Sequence, residues 1–322
     1  MKLPHPFIQL PLSFDAARLA EEVGAVPESE WRPHPNNLPG NSMLPLIAVN
    51  GDPANERFAG PMRPTRNLER CQYLQQVMGS FGATLGRSRL MRLAGQAEVT
   101  RHTDQGYYWA ERVRIHVPIT TQPSVRFQCG DADVNMAAGE CWIFDTWRLH
   151  RVINANDQTR IHLVVDSIGG GVFWQHVAHG RPVPGPQPAN WTPRSVPFDP
   201  NAPAEELPFE SVNVPAVMTP WELETHLAFL FNEARAHPQT QFVRQVAVPF
   251  ARDWRAVWAL YGDAPEGRPA YRQLIHHFMQ AIRPAASEVT LANEANLFGA
   301  MTTMIAKFAV SGAEQGAMAD RG

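Results

Sequence analysis

Val113-Arg114-Ile115-His116-Val117-Pro118-Ile119, then Gly139-Glu140-Cys141-Trp142-Ile143-Phe144-Asp145, then Arg160-Ile161-His162-Leu163-Val164-Val165-Asp166: these three runs decide how the chain folds. On extended backbone, residues two apart share a face. In the first run Val113, Ile115, Val117 and Ile119 lie on one side, with Arg114 and His116 on the other. In the last, Arg160, His162 and Val164 oppose Ile161, Leu163 and Val165. Turn signals at Gly95, Pro123, Gly130-Asp131, Gly139 and Asn154 separate at least six such runs, with no helical pattern between them. Short strands at this spacing predict a sandwich or barrel, not a parallel sheet.

Working outward, residues 85–170 read as a double-stranded β-helix, a cupin-like jelly roll, with helices before it near 15–24 and 67–78. The apolar run Leu44-Pro45-Leu46-Ile47-Ala48-Val49 ends in an Asn50-Gly51-Asp52 turn. Ten prolines between Arg181 and Val217 preclude a helix or central strand and favour extended chain, wrapped over a surface or linking domains. From Thr219 the pattern becomes helical. Thr219-Pro220-Trp221-Glu222 is a capping box with proline at the first helical position, and Leu223, Leu227, Leu230 and Phe231 follow on one face. Further helices are expected near 240–261 with a break at Pro249, near 269–282 before Pro284, and near 290–310. His276-His277 reads as helix surface. The chain therefore divides into a β-rich domain over 1–180, a proline-rich linker over 181–217 and a helical C-terminal domain over 218–322.

Composition excludes several classes of function. An apolar content of 44% and a charged content of 18% are those of a globular protein. A formal charge of −3 and a pI near 6.5 offer no general attraction to nucleic acid or anionic lipid. Cys71, Cys129 and Cys141 are widely spaced and contain no C-x-x-C pair, so neither a zinc knuckle nor a disulfide framework is indicated. The first residues are broken by Pro4, Pro6 and Pro11, unlike a signal peptide, and no run approaches the roughly 18 apolar residues of a membrane span. A cytoplasmic protein acting on a small molecule is the expectation, with no nucleic-acid or membrane partner.

The chemistry lies in four elements. His102-Thr103-Asp104 puts an imidazole and a carboxylate on one face of an extended strand, where both can reach one ion. Beyond the run ending at Asp145, a turn delivers a second imidazole, His150, to the start of the next strand. Two histidines and one carboxylate leave open positions on an octahedral metal, as oxygen chemistry at iron(II) requires. Ten residues on, Arg160 points into a partly apolar barrel and needs an anion; a dicarboxylate cosubstrate would supply one through bidentate bonds. Arg114 and His116 face together either into the site or into solvent.

From Thr65 through Asp166 the sequence resembles the aspartyl/asparaginyl β-hydroxylase and L-proline hydroxylase group of iron(II)/2-oxoglutarate oxygenases. The resemblance rests on Leu90-Met91-Arg92-Leu93, His102-Thr103-Asp104, Arg114-Ile115-His116-Val117-Pro118-Ile119, Gly139 through Asp145, His150 and Arg160-Ile161-His162-Leu163, in that order and spacing. It implies that His102, Asp104 and His150 ligate iron(II) and that Arg160 binds the distal carboxylate of 2-oxoglutarate. It further implies that Arg114 and His116 line the site, touching carboxylates of cosubstrate or substrate. The reaction implied consumes 2-oxoglutarate and O2 and hydroxylates an unactivated C–H of a free amino acid or of an Asp, Asn or Pro residue. Retention of Asp104 argues against halogenation, which needs that position vacant. The C-terminal helices look similar in placement to the extra domain of the L-proline hydroxylases.

Two other readings fit the same residues: a zinc hydrolase on the same fold, which leaves Arg160 without a task, and a non-catalytic cupin-like binder of a small molecule or peptide. For the substrate, Arg112, Arg114 and Arg126 are carboxylate-binding candidates. Gln105-Gly106-Tyr107-Tyr108-Trp109 is either an aromatic wall over the pocket or a packed hairpin tip, and Asn36, Asn37 and Asn41 are loop residues first and pocket residues second.

Overall fold

The computed structural model describes residues 1–35 and 38–311, so Asn36 and Asn37 lie outside the described residues. Two compact units divide the chain: residues 1–104 with 111–211, and residues 105–110 with the described residues from 212 onward.

The first unit is built on two sheets, antiparallel except where its last strand pairs with its first. The larger contains β1 (Phe7–Phe14), β2 (Arg32–Pro33), β3 (Asn41–Val49), β4 (Met62–Pro64), β5 (Thr84–Leu93), β7 (Val113–Thr120), β10 (Glu140–Phe144), β12 (Arg160–Gly169), β13 (Arg181–Val183) and β14 (Arg194–Val196). The smaller contains β6 (Glu98–His102), β8 (Val125–Cys129), β9 (Ala132–Val134) and β11 (His150–Asn154), in the order β6-β11-β8-β9. Its counterpart at the heart of the larger sheet is β10-β7-β12-β5. The chain from β5 to β12 thus winds back and forth between two four-stranded layers, which is the double-stranded β-helix.

The alternation read in the sequence sets the faces. Val113, Ile115, Val117 and Ile119 join Ile143, Leu163 and Val165 in one apolar cluster with Leu19 and Val23 of α1 (Ala16–Gly24) and Leu74, Val77 and Met78 of α3 (Gln72–Gly79). Burying each such side chain is worth about 1.5–3 kcal/mol, and a one-residue slip of β7 would turn all four away. Arg114 and His116 are thereby forced to the opposite face, between the sheets. There a second apolar cluster joins Phe7, Leu93, Trp142 and Phe144 of the larger sheet to Val125, Phe127, Cys129, Val134 and Val152 of the smaller.

Several local departures have tertiary causes. The helix expected near 67–78 is two, α2 (Arg66–Glu69) and α3, because the Glu22 carboxylate accepts from Tyr73 N and Leu74 N at 2.8 and 3.0 Å and starts a new helix there. The Asn50-Gly51 turn has φ of 57° and 73° at its two central residues, and a Cβ on Gly51 would meet Pro64 O at 2.6 Å, so glycine is required. After α5 (Gly171–Ala178), the proline-rich chain to residue 211 falls within this unit. β13 and β14 pair with β1, and Leu85 exchanges backbone hydrogen bonds with Pro208 and Glu210. The residues between the prolines keep enough N–H and C=O groups to pair with exposed strand backbone.

In the second unit are α4 (Tyr107–Ala110), α6 (Pro220–Glu233), α7 (Gln239–Tyr261), α8 (Arg268–Ala286) and α9 (Leu297–Met301). Thr219 Oγ1 caps α6 by accepting from Glu222 N at 3.2 Å. Neither proline breaks its helix as expected: α7 runs through Pro249 and α8 through Pro284. A proline inside a helix costs about 3 kcal/mol, and the packing of Phe250 on Phe278 and of Trp254 on Tyr271, with centroids 4.1 and 4.5 Å apart, offsets it. His276 and His277 are exposed, as read from the sequence. Among the described residues no helix is long and apolar enough to cross a membrane.

Candidate metal centre

β6 ends on His102 and β11 begins on His150, and the register sets the two residues directly opposite each other. Their ring centroids are 4.2 Å apart. The turn that delivers His150 is fixed by Asp145, whose carboxylate accepts from Trp147 N at 3.0 Å and from Arg148 Nε at 2.9 Å. Asp104 is held by its own backbone, with its N–H donating to Thr146 O at 3.0 Å. One donor atom from each of His102, Asp104 and His150 lies within 4.8 Å of the other two.

The tautomers follow from the partners. His102 Nδ1 is 2.7 Å from Thr100 O and His150 Nδ1 is 2.9 Å from Arg148 O; a carbonyl only accepts, so each Nδ1 carries the proton and each Nε2 presents its lone pair. Those Nε2 atoms stand 3.7 and 4.0 Å from the Asp104 carboxylate oxygens, too far for a hydrogen bond. Burial pushes the His150 pKa down to about 4, so the ring stays neutral. Burial raises that of Asp104, but Arg114 and the two histidines outweigh it and hold the carboxyl below its ordinary value. Two imidazoles and a carboxylate around one point are a donor set that suits iron(II).

Arg114 does not stand free to meet a substrate. Its Nη1 donates to Asp104 Oδ2 at 2.8 Å and its Nε to Asp166 Oδ1 at 3.0 Å, Asp166 being its opposite number on β12. The other two arginines considered for a substrate carboxylate are also paired. Arg112 forms a buried fork with Glu210 at 2.8 and 3.0 Å, and Arg126 pairs with Asp133 at the surface. Arg114 is therefore a positioning residue for Asp104. Losing a hydrogen bond to a charged partner costs about 1.5–3 kcal/mol, so Arg114→Met is expected to weaken Mn(II) binding about ten- to hundredfold. Chelator competition measures this, and unchanged affinity would place Arg114 in another role.

A second polar group lies along the inner face. Arg160, only 3% exposed, has its pKa lowered by burial to about 9 and so remains a cation at neutral pH. Its Nη2 donates to His162 Nδ1 at 2.7 Å, which places the His162 proton on Nε2. His116 Nδ1 lies 3.4 Å from the same His162 nitrogen. Arg160 Nε, His162 Nε2 and His116 Nε2 are all buried without a hydrogen-bond partner among the described residues. Such atoms cost about 1–3 kcal/mol each when unmet, and the described protein atoms leave all three unmet here. His162 has no role in the reading of the sequence, although its place on the Arg160 face is the signal that marks it.

The aromatic run after Asp104 is a short helix, α4, rather than a hairpin tip. Tyr107 donates to Glu222 Oε1 at 2.5 Å and stacks on Phe308 with centroids 5.2 Å apart, both partners being in the helical unit.

Fold and site together define a double-stranded β-helix with a two-histidine, one-carboxylate centre between its sheets. Residues 58–169 match the profile of the family described as Aspartyl/Asparaginyl beta-hydroxylase. A curated relative, L-proline cis-3-hydroxylase 1 from Streptomyces sp, is 25% identical over 181 residues, covering 50% of this chain. The chain spans 60% of that relative's length. Among solved structures, an oxidoreductase of the 2OG-Fe(II) oxygenase family from Burkholderia pseudomallei is 14% identical with a TM-score of 0.36, over 49% of this chain and 80% of that one. A Pseudomonas putida prolyl-4-hydroxylase is 18% identical with a TM-score of 0.37, over 51% and 92%.

Proposed function

We propose that the protein is an iron(II)/2-oxoglutarate-dependent dioxygenase that hydroxylates an unactivated C–H of a small amino-acid-like substrate. The observation that carries this reading is the pairing, inside one barrel, of the His102–Asp104–His150 triad with the buried cation Arg160. A zinc hydrolase would use the triad and leave Arg160 idle; a 2-oxoglutarate enzyme uses both. L-proline cis-3-hydroxylase 1, the relative named above, supports an amino-acid-like substrate. Iron(II) with 2-oxoglutarate and O2 supplies the oxidation, with one oxygen atom entering the C–H bond and the other leaving in succinate as CO2 is released.

The chain's own residues supply placement. His102 and His150 present Nε2 lone pairs held in direction by Thr100 O and Arg148 O, and Arg114 fixes the orientation of Asp104. Arg160 offers a planar fork to the distal carboxylate of 2-oxoglutarate, and the neutral His162 holds that fork by accepting from it. His116 stands beside them, its ring edge-on to Phe127 and Phe144 with centroids 5.4 Å away.

The test is a succinate-release screen over free amino acids and short peptides with 2-oxoglutarate, iron(II) and air, with mass detection of a product heavier by one oxygen atom. Failure to consume 2-oxoglutarate even slowly without substrate, in iron-loaded protein, would overturn the reading. A finer expectation concerns His162. His162→Leu removes an acceptor from the Arg160 guanidinium and is expected to raise the 2-oxoglutarate half-saturation about tenfold, with Mn(II) affinity unchanged. His162→Gln, whose carbonyl can still accept, should recover part of the loss; equal defects in the two variants would point to packing alone.

A further inference from the structure

The segment that crosses from the larger sheet to the smaller, between β10 and β11, carries a buried acid outside the metal set. Asp145 follows directly on β10 and has 0% exposure, yet the donor atoms that converge are those of His102, Asp104 and His150. A carboxylate so placed needs protein donors. Both of its oxygens have one: Oδ1 accepts from Trp147 N at 3.0 Å and Oδ2 from Arg148 Nε at 2.9 Å. The backbone of Asp145 is pinned as well. Its N–H donates to Pro6 O at 2.9 Å, and its carbonyl accepts from Arg148 N at 3.2 Å and from the Cys129 thiol at 3.4 Å. Pro6 immediately precedes β1 of the larger sheet and Cys129 ends β8 of the smaller, so Asp145 is tied to both layers.

Each carboxylate oxygen leads to a different metal ligand. Thr146 O and Trp147 N belong to one peptide unit, which is trans, so its C=O and N–H point opposite ways. Asp145 Oδ1 holds the N–H end, and the C=O end accepts from Asp104 N at 3.0 Å. Asp145 Oδ2 holds the Arg148 side chain, and the Arg148 carbonyl accepts from His150 Nδ1 at 2.9 Å. That last bond sets both the tautomer of His150 and the direction of its Nε2 lone pair. Arg114 orients the Asp104 carboxylate, while the backbone from which that side chain springs is held from the Thr146 side.

Resting on the oxygenase reading above, we infer that Asp145 is a positioning residue for two of the three metal ligands at once. Its Oδ1 acts on Asp104 through the Thr146–Trp147 peptide, and its Oδ2 acts on His150 through Arg148. His102 is set separately, by Thr100 O. A small rotation of either carbonyl moves a donor atom, and an ion that needs three donors together then loses affinity.

The test is Mn(II) affinity by chelator competition, together with the visible absorption of the Co(II)-loaded protein, which reads ligand geometry. Thermal unfolding of the metal-free protein reads packing separately. Asp145→Ala removes both arms and is expected to weaken Mn(II) binding about ten- to hundredfold and to change the Co(II) bands at saturating metal. Asp145→Asn keeps an oxygen for Trp147 N but sets an NH2 against Arg148 Nε; Arg148→Met removes that same arm from its other end. Each should weaken Mn(II) binding about three- to tenfold, and the double variant should match the single ones within about twofold, because both break one contact. These two milder variants decide the matter if alanine prevents folding. Lower metal-free stability with native Mn(II) affinity and native Co(II) bands overturns the inference and leaves Asp145 a packing residue. Additive losses in the double variant overturn it as well. If the native protein binds Mn(II) and consumes 2-oxoglutarate while the variants bind Mn(II) equally well, the oxygenase reading stands and this inference falls. Failure of the native protein to bind Mn(II) and to consume 2-oxoglutarate with iron(II) sinks both.

Discussion

His150→Ala is expected to abolish turnover of 2-oxoglutarate, whether or not a substrate is present, and His102→Ala to do the same. The two rings come from neighbouring strands in direct register, with Nε2 lone pairs aimed at Asp104 from fixed tautomers. Removing one leaves two donors where an iron(II) site of this type uses three. His150 is the more demanding position. Its side chain is 3% exposed against 25% for His102, and its ring packs 4.8 Å from that of Phe144, so alanine there also opens a cavity between the sheets. Iron content after loading and succinate release without substrate are the measurements, with far-ultraviolet circular dichroism as the control. Full activity of either variant with no added ligand would remove that residue from the metal.

How much of this was legible beforehand depends on what each feature needs. Alternation alone puts Val113, Ile115, Val117 and Ile119 on one face and Arg114 and His116 on the other; it does not say which face is inside. The structure settles that through α1 and α3, which cover the apolar side. Spacing brings His102 and Asp104 together, because residues two apart need only an extended strand. The meeting with His150 depends on a jelly-roll winding that no local pattern encodes, and the order of motifs points to it where periodicity does not. Side-chain partners are not legible in sequence. Arg112, Arg114 and Arg126 look equivalent as sequence, yet their carboxylates lie 98, 10 and 7 residues away for Glu210, Asp104 and Asp133. A guanidinium's partner is a tertiary fact. The same holds for α7 and α8, where proline's local cost is outweighed by aromatic packing between helices.

Arg160→Met is expected to raise the 2-oxoglutarate requirement by tens- to thousands-fold while leaving Mn(II) binding to the protein without cosubstrate largely unchanged. Arg160 is a buried cation whose Nε has no partner among the described residues and whose Nη2 meets only the neutral His162. Burial lowers its pKa to about 9, still above neutral pH, so the positive charge persists and requires an anion. Loss of a desolvated, charge-assisted fork costs about 2–5 kcal/mol. Methionine keeps most of the volume, which limits repacking against Leu93, the opposite residue on β5. Metal affinity should survive because, among the described residues, the triad is supported by Thr100 O, Arg148 O and Arg114. Coupling to His162 sharpens the expectation. If His162 acts by holding the fork, His162→Leu adds little once Arg160 is gone, and the double variant should match Arg160→Met within about twofold. A 2-oxoglutarate half-saturation in Arg160→Met equal to that of the native protein would sink the assignment. Additive losses in the double variant would instead give His162 its own contact with the cosubstrate through Nε2, the buried donor that now lacks an acceptor.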